Sequence, residues 1–179
     1  MEGKGDKKFI LDYLDHLKLA QIDEKGIIVL GGWTNLPNVK NKFIEFSHLG
    51  YNSLVIFDAD SNPFKRRTEI TKMGKKLQVE FKLFLFPNNK EKGTLESLLL
   101  KIASLIYQNI FSCFDNYKDC LDLCKSNYFL PDNKAKVYAY LEALRKETNI
   151  DKRDFLDAQL WDMDNTYCDP LKVFLSKHF

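Results

Sequence analysis

The sequence predicts an α/β fold: a parallel β-sheet with crossover helices on both faces, followed by a helical C-terminal extension. Two wholly apolar runs, residues 27–30 and 54–57, each end in turn residues, as strands buried on both faces do. Helical spacing of apolar residues separates these runs, which is the pattern of parallel strands joined by crossovers. Beyond about residue 110 the strand patterns cease and only helical ones remain. The chain therefore divides into an α/β unit over residues 1–110 and a helical extension over 111–179, packed as one body.

Each element has its own signal. Phe9, Ile10, Tyr13, Leu14 and Leu17 fall at i, i+1, i+4, i+5 and i+8, an amphipathic helix opened by Asp6 as its cap. Gly26 breaks the chain before the first apolar run, which ends in Gly31 and Gly32. A helix follows Pro37, with Val39, Phe43 and Leu49 facing inward, and stops at Gly50. The second run ends in Asp58, Ala59 and Asp60. After Pro63, the positions of Ile70, Met73 and Leu77 predict a third helix. Residues 79–86 form a third strand in which Glu80 and Lys82 interrupt the apolar positions, so it belongs at an edge. Thr94 caps a helix carrying Leu95, Leu98, Leu99, Ile102 and Leu105. Helices from Cys113 to Cys124, around Val137, Tyr138, Leu141 and Leu144, and from about Leu171 to Lys177 complete the chain.

Composition excludes several classes. The 179 residues carry 45% hydrophobic and 29% charged side chains, which is globular rather than disordered. A formal charge of +2 gives no global attraction to nucleic acid, so any basic site is local. A membrane span needs roughly 20 apolar residues, and the best stretch, residues 98–107, is half that length and contains Lys101. No secretory leader pattern is present, and a cytoplasmic location is expected. Cys113, Cys120 and Cys124 lie at i, i+7 and i+11 with Tyr117 and Leu121 between them, a single helical stripe. With Cys168 they predict buried, reduced thiols without disulfide or zinc, because no Cys-x-x-Cys pair exists and the histidines lie far away.

Open parallel sheets bind ligands beyond the carboxyl ends of their strands. Asp58 and Asp60 stand at such an end, and paired carboxylates repel unless a cation neutralises them. Mg²⁺ suits an all-oxygen set. Strand-to-helix turns also use Asp freely, so the pair alone is weak. The N-terminal Glu2-Gly3-Lys4-Gly5-Asp6 combines an acid with a Gly-rich turn, and alone it fits an ordinary capped helix.

Taken together, Glu-Gly-x-x-Asp before the first helix, Leu30-Gly31-Gly32, and Asp58-Ala59-Asp60 resemble a Toprim domain, the metal-binding fold of topoisomerases, bacterial primases and OLD-family nucleases. Phe84-Leu85-Phe86-Pro87-Asn88-Asn89, Gly93-Thr94-Leu95-Glu96, Cys113-Phe114-Asp115 and Lys134-Ala135-Lys136-Val137-Tyr138 are similar to a small prokaryotic family of OLD-like Toprim proteins. The resemblance spans residues 2 to 146. In Toprim domains the glutamate ends a first strand, whereas only Met1 precedes Glu2 here. Either native residues stand ahead of Met1, or the sheet lacks that strand.

The resemblance implies a Mg²⁺- or Mn²⁺-dependent nuclease, or nuclease-like domain, acting on DNA or RNA phosphodiesters with two metals. Glu2 matches the Toprim glutamate, a metal ligand or general acid/base. Asp58 and Asp60 match the metal-holding aspartates. Asp6 and Glu96 are candidates for a second metal, although Glu96 also suits the first turn of a helix electrostatically. Lys134 and Lys136 are candidates to neutralise charge on the transferring phosphoryl group. Between Lys65 and Lys76 lie six basic residues and one acid. Lys65, Arg66, Arg67, Lys72 and Lys76 are the candidate phosphate contacts, although a solvated charged face explains any single lysine there better. A non-catalytic module binding a protein partner or nucleic acid within a larger defence or repair assembly is the second reading. A haloacid-dehalogenase-type phosphatase, suggested by Val55-Ile56-Phe57-Asp58-Ala59-Asp60, is the third. No membrane partner is expected.

Overall fold

The computed structural model describes residues 1–19, 22, 26–124, 127–145 and 153–179. Among these, the chain is mixed α/β with seven α-helices and a two-stranded parallel sheet. The strands are β1 (Leu54–Asp58) and β2 (Lys82–Phe86), paired in register from Leu54 with Lys82 to Asp58 with Phe86. The helices are α1 (Lys4–His16), α2 (Lys40–His48), α3 (Pro63–Leu77), α4 (Leu95–Ile102), α5 (Gln108–Leu123), α6 (Asn133–Arg145) and α7 (Asp169–Ser176).

Alternation along the strands builds two cores. Because successive side chains point to opposite faces, Ile56, Phe84 and Phe86 join α1, α4, α6 and α7 in the larger core. Val55, Phe57 and Leu85 face the other way, against Ile70 of α3 and Leu36 of the 3₁₀ helix Trp33–Val39. The sheet is thus covered on both sides. The C-terminal helices share the larger core: Phe155, Trp161 and Leu171 pack with Phe9 and Phe86, and the Phe155 N–H donates to Asp12 at 3.3 Å. The polar stretch after Leu144 lies partly outside the described residues.

Several sequence expectations are corrected. Residues 27–30 are not a strand. The Met1 amino group donates to the Ile28 carbonyl at 2.9 Å, and Leu30 N–H donates to the Met1 carbonyl at 2.9 Å. This is the parallel-ladder pattern with Met1 opposite Val29, but two residues of partner are too few to define a strand. The segment 79–86 shortens to Lys82–Phe86, because Gln78 turns left-handed (φ 57°) and Val79 N–H caps α3 by bonding to Gly74 O. Asp6 is not the cap of α1 but its third residue, reaching back to the Gly3 N–H at 2.8 Å. Leu49 and Leu105 lie outside their helices and are exposed.

The cysteine expectation fails for α5. Cys113, Cys120 and Cys124 are exposed and Cys168 is buried, none of them in a disulfide. Only Phe111 of α5 is buried, since the helix meets α6 through its first turns and leaves the cysteine stripe on the surface. No helix among the described residues is long and apolar enough to cross a membrane.

Candidate functional site

The carboxyl end of the sheet gathers chain from three places. β1 ends at Asp58, whose N–H points to Glu2 Oε2 at 3.5 Å and whose Oδ1 accepts from the Leu95 N–H at 3.0 Å. The second contact ties the strand end to the N-terminus of α4, where Thr94 is the cap. Asp60 and Gly93 exchange both backbone hydrogen bonds, at 2.9 and 2.7 Å. That bridge locks the loop after β1 to the loop before α4. Asp60 takes a positive φ (52°) and Gly93 a φ of 139°, where a Cβ would sit 2.5 Å from Ser97 Oγ. Glycine is required there by both backbone and space.

Glu2, Asp6, Asp58 and Glu96 are brought close enough to feel one another's charge. Asp58 is half-buried, and desolvation pushes its carboxyl up to about 9, with Asp6, Glu2 and Glu96 adding repulsion against the Leu95 N–H. Asp6, 8% exposed, is pushed up to about 6 by desolvation and then by Glu96 and Glu2, opposed by the Gly3 N–H. Glu2 is raised by burial first and by Asp60, with the Asp58 N–H and Arg66 opposing. Such a set disfavours ionisation unless positive charge is supplied.

The remaining predicted residues divide. Asp60 is near Glu2 but its carboxylate is ion-paired with Arg66, which also bonds Glu69 and lies over the Trp33 ring at 5.1 Å. Arg67 donates to Asn89 Oδ1 at 2.8 Å. Lys65, Lys72 and Lys76 are exposed on α3. Lys136 binds Asp115 through both carboxylate oxygens, at 2.6 and 2.7 Å, and lies over Phe111. Lys134 is exposed at the start of α6, where the neighbouring Asn133 reaches Ser97 Oγ at 3.4 Å. Sequence reasoning gave no role to the side chains of Ser97, which accepts from the Thr94 N–H, and Asn89, which accepts from Arg67 and from the Leu85 N–H. The spacing Thr94-x-x-Ser97 was the available signal for the first.

The family model described as Protein of unknown function (DUF3226) matches residues 1–179. The chain belongs to this family. Searches of curated proteins and of solved structures find no match.

A divalent cation is the group the Toprim resemblance implies. Among the described residues no group of three His, Cys, Asp or Glu side chains is closed enough to hold a metal ion as it stands. The side chains near this strand end are four carboxylates from three segments, the kind of oxygen donor a hard divalent cation takes.

Proposed function

We propose that this member of the family is a Mg²⁺- or Mn²⁺-dependent nuclease, or nuclease-like domain, acting on nucleic-acid phosphodiesters. The observation that carries the reading is the meeting of Glu2, Asp58 and the N-terminus of α4 at the carboxyl end of a parallel sheet. Asp58, Glu2, Asp6 and Glu96 would hold the metal. When bound, a metal pair supplies activated water and stabilises the leaving oxygen. Glu2, with its oxygen beside the Asp58 N–H, would accept a proton from an attacking water. Arg66 is ion-paired with Asp60 and Glu69 at the rim where a phosphate backbone would approach, so the exposed lysines of α3 would supply the positive charge there. Nothing in this chemistry selects DNA over RNA.

The Arg66–Asp60 ion pair favours a second reading, because it occupies one of the two matched aspartates. In that reading the chain is a non-catalytic partner or nucleic-acid-binding module. Incubating the purified chain with plasmid, single-stranded DNA and RNA in millimolar Mn²⁺ or Mg²⁺ separates the two. The nuclease reading expects cleavage that Glu2→Gln and Asp58→Asn abolish. Absence of cleavage in the wild type, with metal binding retained, supports the module. Turnover of small phosphate esters with covalent phosphorylation of Asp58 would instead indicate a phosphatase.

A further inference from the structure

Of the 16 residues of α5, Phe111 alone is buried. Its ring stacks on Tyr140 of α6 at 5.0 Å between centroids, and Tyr107 meets the same ring edge-on at 6.4 Å. Thus α6 covers the first turns of α5 on one side and leaves the outer face uncovered. Along that face Ile106, Ile110, Cys113, Tyr117, Cys120 and Cys124 recur at spacings that alternate between four and three. This is the 3.5-residue repeat of a seam between two helices, narrower than the stripe of a helix lying on a core. Ile110 is half-buried, whereas Ile106 is 80% exposed and Tyr117 and the three cysteines are exposed.

Charge narrows what can cover the seam. The four charged residues of α5, Asp115, Lys118, Asp119 and Asp122, all lie off it. The flanking positions, Asn109, Phe114, Asn116, Leu121 and Leu123, are uncharged too. A nucleic-acid strand or a charged peptide finds no counter-charge here, while two copies of the seam meet without like-charge repulsion.

We propose that the outer face of α5 is a two-fold, antiparallel docking surface for a second copy of this chain. With Cys113 opposite the partner's Tyr117, Tyr117 falls opposite the partner's Cys113 and Ile110 opposite the partner's Cys120. Each layer then sets a large side chain against a small one, as a self-complementary two-fold contact requires. The ends match as well. Ile106 lies at one end of α5, and Leu123, 78% exposed, and Phe129, 98% exposed, lie at and beyond the other. Antiparallel packing brings each end against the opposite end of the second copy. Parallel packing would instead stack Tyr117 on Tyr117 and crowd both α6 helices at one end. The exposed side chains of the face and its ends come to on the order of 700 Å² per copy, near the ~800 Å² per partner of a standard interface. The dimer is reversible, so the thiols stay reactive in dilute protein. It is independent of the proposed chemistry.

Sedimentation velocity of the 179-residue chain in reductant, from low micromolar to near-millimolar concentration, tests it. The average mass is expected to rise from one chain to two and to stop there. Tyr117→Glu and, separately, Leu123→Lys should keep the melting temperature of the dilute wild type and remain monomeric throughout. A short bis-maleimide at the high concentration is expected to join Cys113 to the partner's Cys120. It should not join Cys120 to the partner's Cys120, because the antiparallel register holds them about ten residues, or ~15 Å, apart along the helix axis. A wild type that stays monomeric leaves the seam to a different protein and overturns the proposal, as does dimerisation of both variants. Growth beyond two copies would mean an open head-to-tail contact, and a Cys120–Cys120 link a parallel one. Either overturns the two-fold antiparallel seam.

Discussion

Asp58 concentrates the electrostatics of the site. Its carboxyl is desolvated, repelled by three neighbours and pushed up to about 9. Replacing it with Asn keeps an oxygen for the Leu95 N–H and deletes the titratable group. Asp58→Asn is therefore expected to stabilise the metal-free protein at neutral pH by on the order of 1 kcal/mol, measured by urea unfolding. A loss of stability would mean that the carboxylate is favourably solvated or paired. At the same scale, the thiols give a separate check. Cys113, Cys120 and Cys124 are exposed, while burial pushes Cys168 up to about 12. A thiol-reactive dye should label the three on α5 rapidly and Cys168 only on unfolding. The stripe was legible as a helical pattern, but its direction was not. A run of Cys, Tyr and Leu reads as a core face, and only the packing of α5 through Phe111 shows that it lies outside.

The elements were legible wherever one strong signal ruled. Pro63 and Ile70 placed α3, and Thr94 with Leu95, Leu98, Leu99 and Ile102 placed α4. The expected strand at 27–30 did not form, because a strand depends on a partner and the sequence pattern records only apolarity. Nor could spacing disclose the Asp60–Gly93 bridge, which joins residues 33 positions apart and carries the loop geometry of the site. That bridge yields a prediction. Gly93→Ala combines φ 139° with a 2.5 Å approach to Ser97 Oγ, and is expected to destabilise by ~2 kcal/mol or more. Gly50→Ala, at φ 80° in open space, should cost only ~1 kcal/mol. Equal costs in chemical denaturation would remove the packing argument for Gly93. Of the candidate cations, Lys136 has its ammonium bound by Asp115. Lys136→Ala should lower stability by at most ~1 kcal/mol, as exposed ion pairs do, and leave metal binding intact.

For the whole molecule, raised carboxyl pKa values set the direction of pH dependence. Asp58, Asp6 and Glu2 all bind protons more tightly in the folded chain than in the unfolded one. Between the ordinary carboxylate range and about pH 9, the folded state therefore holds more protons. Stability of the metal-free protein is full at the acidic end and falls as pH rises through this window. Thermal melts from pH 5 to 9 in chelator should show a declining melting temperature at constant ionic strength. A rising one would place the carboxylates in a compensated network.

Divalent cation should reverse that decline, since a ligand selective for the folded state stabilises it by mass action. The most direct test of the carboxylate site is the melting temperature of the wild type and of the Glu2→Gln, Asp58→Asn double variant with millimolar Mn²⁺ or Mg²⁺. The account predicts a metal-dependent rise in the wild type, larger at pH 8 than at pH 6, and none in the double variant. A wild-type melting curve unmoved by either cation would contradict the site and the chemistry proposed for it.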